Sequence, residues 1–445
     1  MNILVFNGSP KGENSVTLQT VRYLEKRHPE LTFTVLHVGQ RIRALENDFS
    51  AVTDAVEQAD ALLFSYPVYT FIAPYQLHRF IELMKEHRVP VQGKYVTQLS
   101  TSKHFYDVTA HRYIQDNVQE MGMKYVRGLS ADMDDLLSKR GQQEAEAFLA
   151  RFLWNVEKGF REPYMLMPSN PRHLPVTVPA TDNSEKPGDV VIIADIRKDD
   201  VQLQNMIDRF RAVLPRKSRV VSLRDFPFKG GCLGCFHCAA DGTCIYKDGF
   251  DSFLRENIQT AQAMVFAFSI RDHSYGSRFK LYNDRQFCNG HRTVTMGMPV
   301  GYLISGDYGA ETNLQMIVEG RAQVGSNILA GIATDQQDPD RAIDELAASL
   351  VYALENKPAQ PQNFYGVGGM KIFRDLIYKM RGMMKADHRF YKAHGQYDFP
   401  QKDKGTILKM YLVGLLISSP KLRSKIGGQM TEGMIGPYRK VVDDK

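Results

Sequence analysis

Twice along this chain, five apolar runs of strand length alternate with amphipathic helical stretches, and the two series are separated by a stretch rich in proline. Alternation of this kind carries each crossover back over the same sheet, giving a parallel sheet covered by helices on both faces. In the first series the spacing predicts strands over residues 3–7, 32–37, 61–65, 95–100 and, more weakly, 124–129, with helices near 16–26, 49–58, 75–87, 108–121 and 142–158. In the second it predicts strands over 190–194, 219–222, 264–269, 300–305 and 328–333, with helices near 202–213, 250–259, 278–287, 313–324 and 340–355. The expected fold class is α/β, with two tandem doubly wound parallel-sheet domains followed by a helical C-terminal region.

Between the series stand Pro163, Pro168, Pro171, Pro175, Pro179 and Pro187. Proline fixes φ and removes a donor, so regular elements stop there. The expected organisation is a first domain over 1–161, a linker over 162–187, a second domain over 188–357 and a basic helical region over 358–445. That last region holds the charge: from Lys371 to Lys445 there are sixteen Lys/Arg against seven Asp/Glu, a net of +9 in a chain of net +6. Such a tail meets an acidic partner, nucleic acid or a membrane surface, or simply forms a solvated helical face. Its residues Arg374, Arg381, Lys385, His388, Arg389 and Tyr391 are either a cover for the active site or ordinary packing and surface. The apolar stretch 408–417 is interrupted by Lys409 and Gly414 and is too short for a span, so no transmembrane segment is expected. Met1 to Asn7 enters a strand pattern without a charged leader, and the expected location is cytoplasmic. Among the partners named for the tail, nucleic acid is not the expected one.

The loops that follow the first-series strands are the ones suited to a ligand. After the first comes Asn7-Gly8-Ser9-Pro10-Lys11-Gly12-Glu13-Asn14-Ser15-Val16-Thr17, where glycines, hydroxyls and a lysine meet the amides of a helix N-terminus. That suits a phosphate. It is neither a Walker A loop nor G-x-G-x-x-G, and the plainer alternative is a polar helix cap built from Ser15. After the third strand come Pro67, Val68, Tyr69, Thr70 and Phe71, an aromatic loop able to line a flat ring; after the fourth come Ser100, Thr101, Ser102, Lys103 and His104. In a sheet of order 2-1-3-4-5 these three strand ends surround the switch point where FMN sits in flavodoxin-like folds.

Four of the five cysteines lie within thirteen residues, as Cys232, Cys235, Cys238 and Cys244. Four thiolates so spaced can wrap one inorganic centre. The run is similar to the ferredoxin pattern C-x2-C-x2-C-x3-C-P, although its last spacer is longer and Ile245 replaces the proline. A 4Fe-4S cluster, a tetrahedral zinc, free redox thiols and a structural knot all remain open from spacing alone. Cys288, outside the run, reads as a small buried apolar residue.

Taken together, Gly8-Ser9-Pro10-Lys11 with Ser15 and Thr17, and Ser65-Tyr-Pro-Val-Tyr69 before a helix carrying Leu77 and Phe80, resemble the NADPH-dependent FMN reductase and iron-sulfur flavoprotein families. The resemblance implies two flavodoxin-like domains. It implies FMN phosphate on Ser9, Lys11, Ser15 and Thr17, with Asn14 and Val16 in the same loop, the isoalloxazine against Pro67 to Phe71, and further contacts from Ser100 to His104. The second domain resembles the iron-sulfur branch through its cysteine run after strand two, through Lys280 to Arg285, and through Ser305-Gly306-Asp307-Tyr308-Gly309. It departs from the pattern elsewhere. Asp195-Ile-Arg197-Lys198-Asp199-Asp200 replaces the phosphate loop, and Arg271-Asp272-His273-Ser274-Tyr275 replaces Pro-Val-Tyr. The expectation is one FMN in the first domain and one cluster in the second, with the cysteine loop facing the Ser9 and Tyr69 loops. Arg271, Asp272, His273 and Tyr275 are then candidates for substrate binding or proton delivery, or fill a dead site or an interface.

The expected function is an FMN-dependent oxidoreductase linked to NAD(P)H or ferredoxin, passing electrons between flavin and a 4Fe-4S cluster to a small-molecule acceptor, with self-association as a further expectation. Two alternatives are an electron-transfer or redox-sensing flavoprotein without a small-molecule substrate, and a zinc-stabilised NAD(P)H:FMN or quinone reductase.

Overall fold

The first strand, β1 (Asn2–Asn7), is buried from Ile3 to Asn7, as a parallel strand covered on both faces requires. The computed structural model that shows this describes residues 1–166, 173–180, 185–419, 435, 438–439 and 441–442, so Pro168 and Pro171 of the linker lie outside the described residues. The first half continues through α1 (Val16–Arg27), β2 (Thr32–Leu36), α2 (Ile42–Leu45), α3 (Ser50–Gln58), β3 (Ala61–Pro67), α4 (Tyr75–Glu86), β4 (Tyr95–Ser102), α5 (Asp107–Glu120), β5 (Lys124–Tyr125), β6 (Leu129–Asp132) and α6 (Lys139–Lys158). Its sheet has the order β2-β1-β3-β4-β5, with β6 also on β4, and every pairing is parallel. The single strand expected over 124–129 is thus two short ones. At the break the Gln98 side chain bonds the hydroxyls of Tyr66 and Tyr125, both at 2.6 Å.

The second half repeats the plan with β7 (Val190–Asp195), α7 (Val201–Val213), β8 (Ser218–Ser222), α8 (Phe250–Phe253), β9 (Ala263–Ser269), α9 (Gly276–Arg285), β10 (Pro299–Ser305), α10 (Thr312–Gly325), β11 (Ile328–Thr334) and α11 (Pro339–Asn356). Its sheet runs β8-β7-β9-β10-β11, the same 2-1-3-4-5 order, all parallel. Both sheets are therefore flavodoxin-like in topology. The helix expected over 250–259 is only a short turn of α8, continued by a π-turn over Leu254–Ile258. Described residues of the proline-rich connector run along the second half, where Leu174 N donates to Asp335 O at 2.9 Å and His173 Nδ1 lies 2.7 Å from the Asp335 carboxylate.

By its contacts the chain forms two compact units, Met1–His388 and Arg389–Lys445. The first contains both sheets, α12 (Phe364–Lys379) and the start of α13 (Lys385–Ala393); the second contains α14 (Lys404–Ser418).

Inside the first unit the halves meet through α4 and α9. The Asp284 carboxylate of α9 accepts from the Tyr75 amide at the start of α4, at 2.8 Å. Reciprocally, the Glu82 carboxylate of α4 accepts from the Ser277 amide and hydroxyl at the start of α9, both at 2.7 Å. Each helix thus places a buried anion at the positive end of the other. Such reciprocity is what a twofold dimer interface shows between identical chains.

Candidate functional site

The three candidate loops of the first half converge at the C-terminal edge of their sheet. The Gly8 amide donates to Ser65 O at 2.8 Å, joining the loops after β1 and β3. Thr17 Oγ1 lies 2.6 Å from Thr101 Oγ1, and the Val68 amide donates to Thr101 O at 3.1 Å, joining both to the loop after β4. Ser9, Ser15, Thr17, Thr101 and Ser102 are buried, while Asn14, Val16 and His104 face solvent.

Local chemistry explains the shapes. Ser9 Oγ accepts from the Lys11 amide at 3.3 Å, and Ser15 Oγ caps α1 by accepting from the Leu18 amide at 3.4 Å. The cap reading of Ser15 is therefore realised, and it leaves the Val16 and Thr17 amides of the first helical turn as donors for an anion. Ser100 Oγ lies 2.8 Å from His111 Nε2, a ring whose burial lowers its pKa to about 4. Thr70, Phe71, His104 and Tyr106 all adopt positive φ, which non-glycine residues sustain only where the surroundings enforce it. The buried hydroxyls of Ser65 and Thr70 have no hydrogen-bond partner. Strained backbone and orphaned hydroxyls on one sheet edge fit a bound polar ring and its phosphate. Ser9, Lys11, Asn14, Ser15, Val16 and Thr17 would hold the phosphate, and the 67–71 and 100–104 loops the ring.

The cysteine run of the second half lies against these loops. A Cβ on Gly234 would stand 2.0 Å from the Tyr69 hydroxyl and 3.4 Å from Lys11 Cε. Gln76 Nε2 donates to Cys232 O at 3.3 Å, and Lys11 Nζ sits 5.8 Å from the centre of the Phe236 ring. The expected orientation of the Cys232 loop toward the Ser9 and Tyr69 loops is the one observed.

One helix, α9, grips both features. Its Lys280, fully buried, donates to Tyr69 O at 2.6 Å and pairs with the fully buried Asp284, which in turn holds the Tyr75 amide. Burial pulls the Lys280 ammonium below its usual pKa, opposed by the Asp284 charge. One residue on, Arg285 donates to Gly230 O at 2.9 Å and forms a bidentate pair with Asp248 at 2.7 and 2.8 Å, anchoring the cysteine loop. On the far side, Thr109 Oγ1 donates to Phe71 O and the Asn313 amide group donates to Thr109 O at 3.0 Å. Phe373 and Tyr365 of α12 close over Phe105 and Tyr106. Sequence reading missed Lys280 and Asp284 as site residues. The only signal available was a lysine and an aspartate four apart on one helix, a spacing that a solvated face shows equally.

Cys232, Cys238 and Cys244 are half-buried and Cys235 is exposed. Burial raises Cys232 and takes Cys238 up to about 11. Among the described residues, however, no group of three or more His, Cys, Asp or Glu side chains is gathered to hold a metal ion. The donor set is that of an all-thiolate centre; the side chains as placed do not converge on one. Cys288 is buried, as expected, beside Cys238, whose Sγ lies 3.1 Å from Phe287 O.

The remaining candidates face other partners. Arg271 pairs with Asp200, and His273, at positive φ, bridges Glu311 at 2.9 Å and Glu120 of the first half at 3.3 Å. Tyr275 is buried between Phe268 and Phe279, parallel to the His78 ring. Asp272 receives the Tyr113 hydroxyl at 2.6 Å and lies 2.7 Å from His78 Nδ1. Burial alone would raise this carboxyl, but the His78 charge and the two hydrogen bonds hold it well below its usual pKa. At the second sheet's edge a cleft of about 670 Å³ opens between Arg197, Lys198 and Arg278 on one side and Tyr75 and Arg79 on the other.

Parts of the chain are similar to known proteins. Residues 1–134 match the model of the NADPH-dependent FMN reductase family. The chain also resembles an iron-sulfur flavoprotein of Archaeoglobus fulgidus, 25% identical over 175 residues that make up 37% of this chain and 78% of that protein. A third likeness is to FMN-dependent NADH:quinone oxidoreductase 2 of Pseudomonas syringae, 33% identical over 118 residues, 20% of this chain and 56% of that protein. Among solved structures, the flavoenzyme NAD(P)H:acceptor oxidoreductase FerB of Paracoccus denitrificans aligns with 35% of this chain and 97% of its own, at 17% identity and a TM-score of 0.30.

Proposed function

We propose that the protein is an FMN-dependent oxidoreductase carrying one flavin per chain, in the first half, and reducing a small-molecule acceptor of the quinone class with electrons from NADPH or NADH. The observation that carries the reading is the convergence of the 8–17, 67–71 and 100–104 loops, within the segment that matches the reductase family. What a bound flavin supplies is exchange between hydride and single-electron chemistry. The chain's own contribution is to hold and orient. Lys11 and the first-turn amides of α1 neutralise a phosphate. Lys280, through Tyr69 O, fixes the loop on which the ring lies, and Phe71, Phe105 and Tyr106 keep water from one side of it.

In the second half the corresponding loop satisfies itself. Asp200 accepts from the Arg197 amide at 2.8 Å and pairs with Arg271, and Asp195 pairs with Arg224 at 2.7 Å. This supports a single flavin site. The finer part of the proposal is that Cys232, Cys235, Cys238 and Cys244 take up a 4Fe-4S cluster, supported by their donor chemistry, by their seat against Tyr69 and Lys11, and by the iron-sulfur flavoprotein among the similar proteins. Zinc at the same thiols is the competing outcome.

Anaerobic purification tests both levels. FMN at one per chain, with NAD(P)H oxidation that depends on a quinone, supports the first; absence of flavin binding after reconstitution overturns it. Iron and sulfide with a broad shoulder near about 400 nm support the cluster, and zinc without iron overturns it. Turnover with ferredoxin and with no quinone would shift the reading to an electron-transfer module.

A further inference from the structure

α14 (Lys404–Ser418) is apolar around its circumference and, apart from Val413 and Gly414, its described side chains are exposed. Leu408 is 63% exposed, Tyr411 72%, Leu412 56% and Leu415 72% on one side, while Met410 and Leu416, at 51% and 50%, point elsewhere around the helix. A groove on a protein covers one face of a helix. A helix apolar all round is satisfied in a core or in lipid. Its 15 residues rise only about 22 Å, short of the roughly 30 Å of a hydrocarbon layer. No helix among the described residues is long and apolar enough to cross a membrane. An apolar segment too short to span can still be taken up by lipid as a re-entrant or interfacial segment.

The charge around α14 selects the kind of surface. Lys402, Lys404 and Lys409 flank or interrupt it, Lys421, Arg423 and Lys425 follow in the sequence, and no acidic residue occurs between Asp403 and Glu432. Across Arg389–Lys445 there are eleven Lys/Arg against five Asp/Glu, a net of +6. Basic residues beside an apolar interfacial segment are drawn to anionic leaflets, and the two forces reinforce each other. We infer that α14 and its basic flanks are a peripheral anchor that seats the protein on an anionic bilayer surface, with the leucine-rich helix inserted at the interface. The inference stands on the second compact unit alone and does not depend on the flavin reading.

The test is flotation of the full-length protein with vesicles of phosphatidylcholine alone or mixed with phosphatidylglycerol, at about 0.1 M and about 1 M salt. Binding at least about tenfold tighter to the anionic vesicles, weakened by salt, is expected. Leu412→Asp combined with Leu415→Asp is expected to abolish it with the thermal unfolding of the chain unchanged. As a check that requires no disruptive change, Tyr411→Trp should show blue-shifted emission with anionic vesicles only. The inference is overturned by failure to bind either vesicle, or by undiminished binding of the double Asp variant, which would leave only diffuse attraction of the tail. It is equally overturned if light scattering shows a dimer that the same variant dissolves while vesicles are not bound, because α14 then serves a second copy of the chain.

Discussion

The loops after β1 and β7 leave the same position in two sheets of the same topology, and they end in opposite chemistry. The first offers Ser9, Lys11 and helix amides, and its one carboxylate, Glu13, is taken up by Arg22 and His37. The second brings its own carboxylates: Asp200 takes up the Arg197 amide and the Arg271 guanidinium, and Asp195 takes up Arg224. The loops after the third strands diverge in the same sense. Thr70 and Phe71 are held in a strained backbone beside orphaned hydroxyls, whereas Asp272 is spent on His78 and Tyr113 in the seam between the halves. A fold repeated in one chain can thus leave one set of loops open and turn its copy into structure that supports it. The support is specific, since α9 of the second half holds Tyr69 O through Lys280 and the cysteine loop through Arg285.

The largest expected effect breaks that support. Lys280→Met leaves Asp284 buried without its cation, and removal of one member of a buried ion pair costs about 3–5 kcal/mol. Urea unfolding should show a loss of that size, and adding Asp284→Asn should restore much of it. If the single variant is as stable as the parent, the clamp is not what joins the halves.

Flavin affinity is the sharper probe of asymmetry. A Cβ on Gly39 would stand 2.3 Å from Gly8 O, so Gly39→Ala must displace the loop at the head of the first site. Loss of FMN affinity of at least ~100-fold, about 2.7 kcal/mol, is expected by fluorescence titration, against no change for Arg197→Ala in the second half. Equal losses from both would mean that both edges carry flavin. Next in size is Gly234→Ala. Its φ of +60 and its clash with the Tyr69 hydroxyl should cost roughly 1–3 kcal/mol and perturb the flavin spectrum. Gly249→Ala, at φ +76 with nothing within 4 Å, supplies the control in which only backbone strain is felt, about 1 kcal/mol with the spectrum unchanged.

Much of this arrangement is legible in the sequence because buried parallel strands are near-continuous apolar runs: Ile3 to Phe6 and Val190 to Ala194 announce themselves without any partner in view. Loops at strand ends are equally visible, and the structure brings Thr17 to Thr101 as the 2-1-3-4-5 order requires. What pattern reading cannot reach is the use of a charged side chain in a seam. Lys280 and Asp284 look like the solvated face of a helix until α4 is laid over them, and Asp272 looks like a site residue until Tyr113 is found on it. The thiol run shows the opposite limit. Its composition specifies a donor set, while convergence depends on side-chain placement that spacing does not fix.

The smallest effect concerns His273, where the halves exchange charge. Burial disfavours its imidazolium, but the Glu120 carboxylate 3.3 Å away and the hydrogen bond to Glu311 outweigh that and raise its pKa to about 9 from the ordinary 6.5. A group whose folded pKa is raised stabilises the fold fully at pH below the unfolded value, and the contribution fades as pH climbs through the folded one. Stability should therefore be fully supported by this contact near pH 6 and lose it between about 6.5 and 9. Glu120 is half exposed, so the screened contribution is on the order of 1 kcal/mol. Denaturant midpoints measured across that range for the parent and for His273→Gln isolate it. The parent should lose stability with rising pH relative to the variant, and parallel curves would mean that the two glutamates do not hold a charged imidazole between the halves.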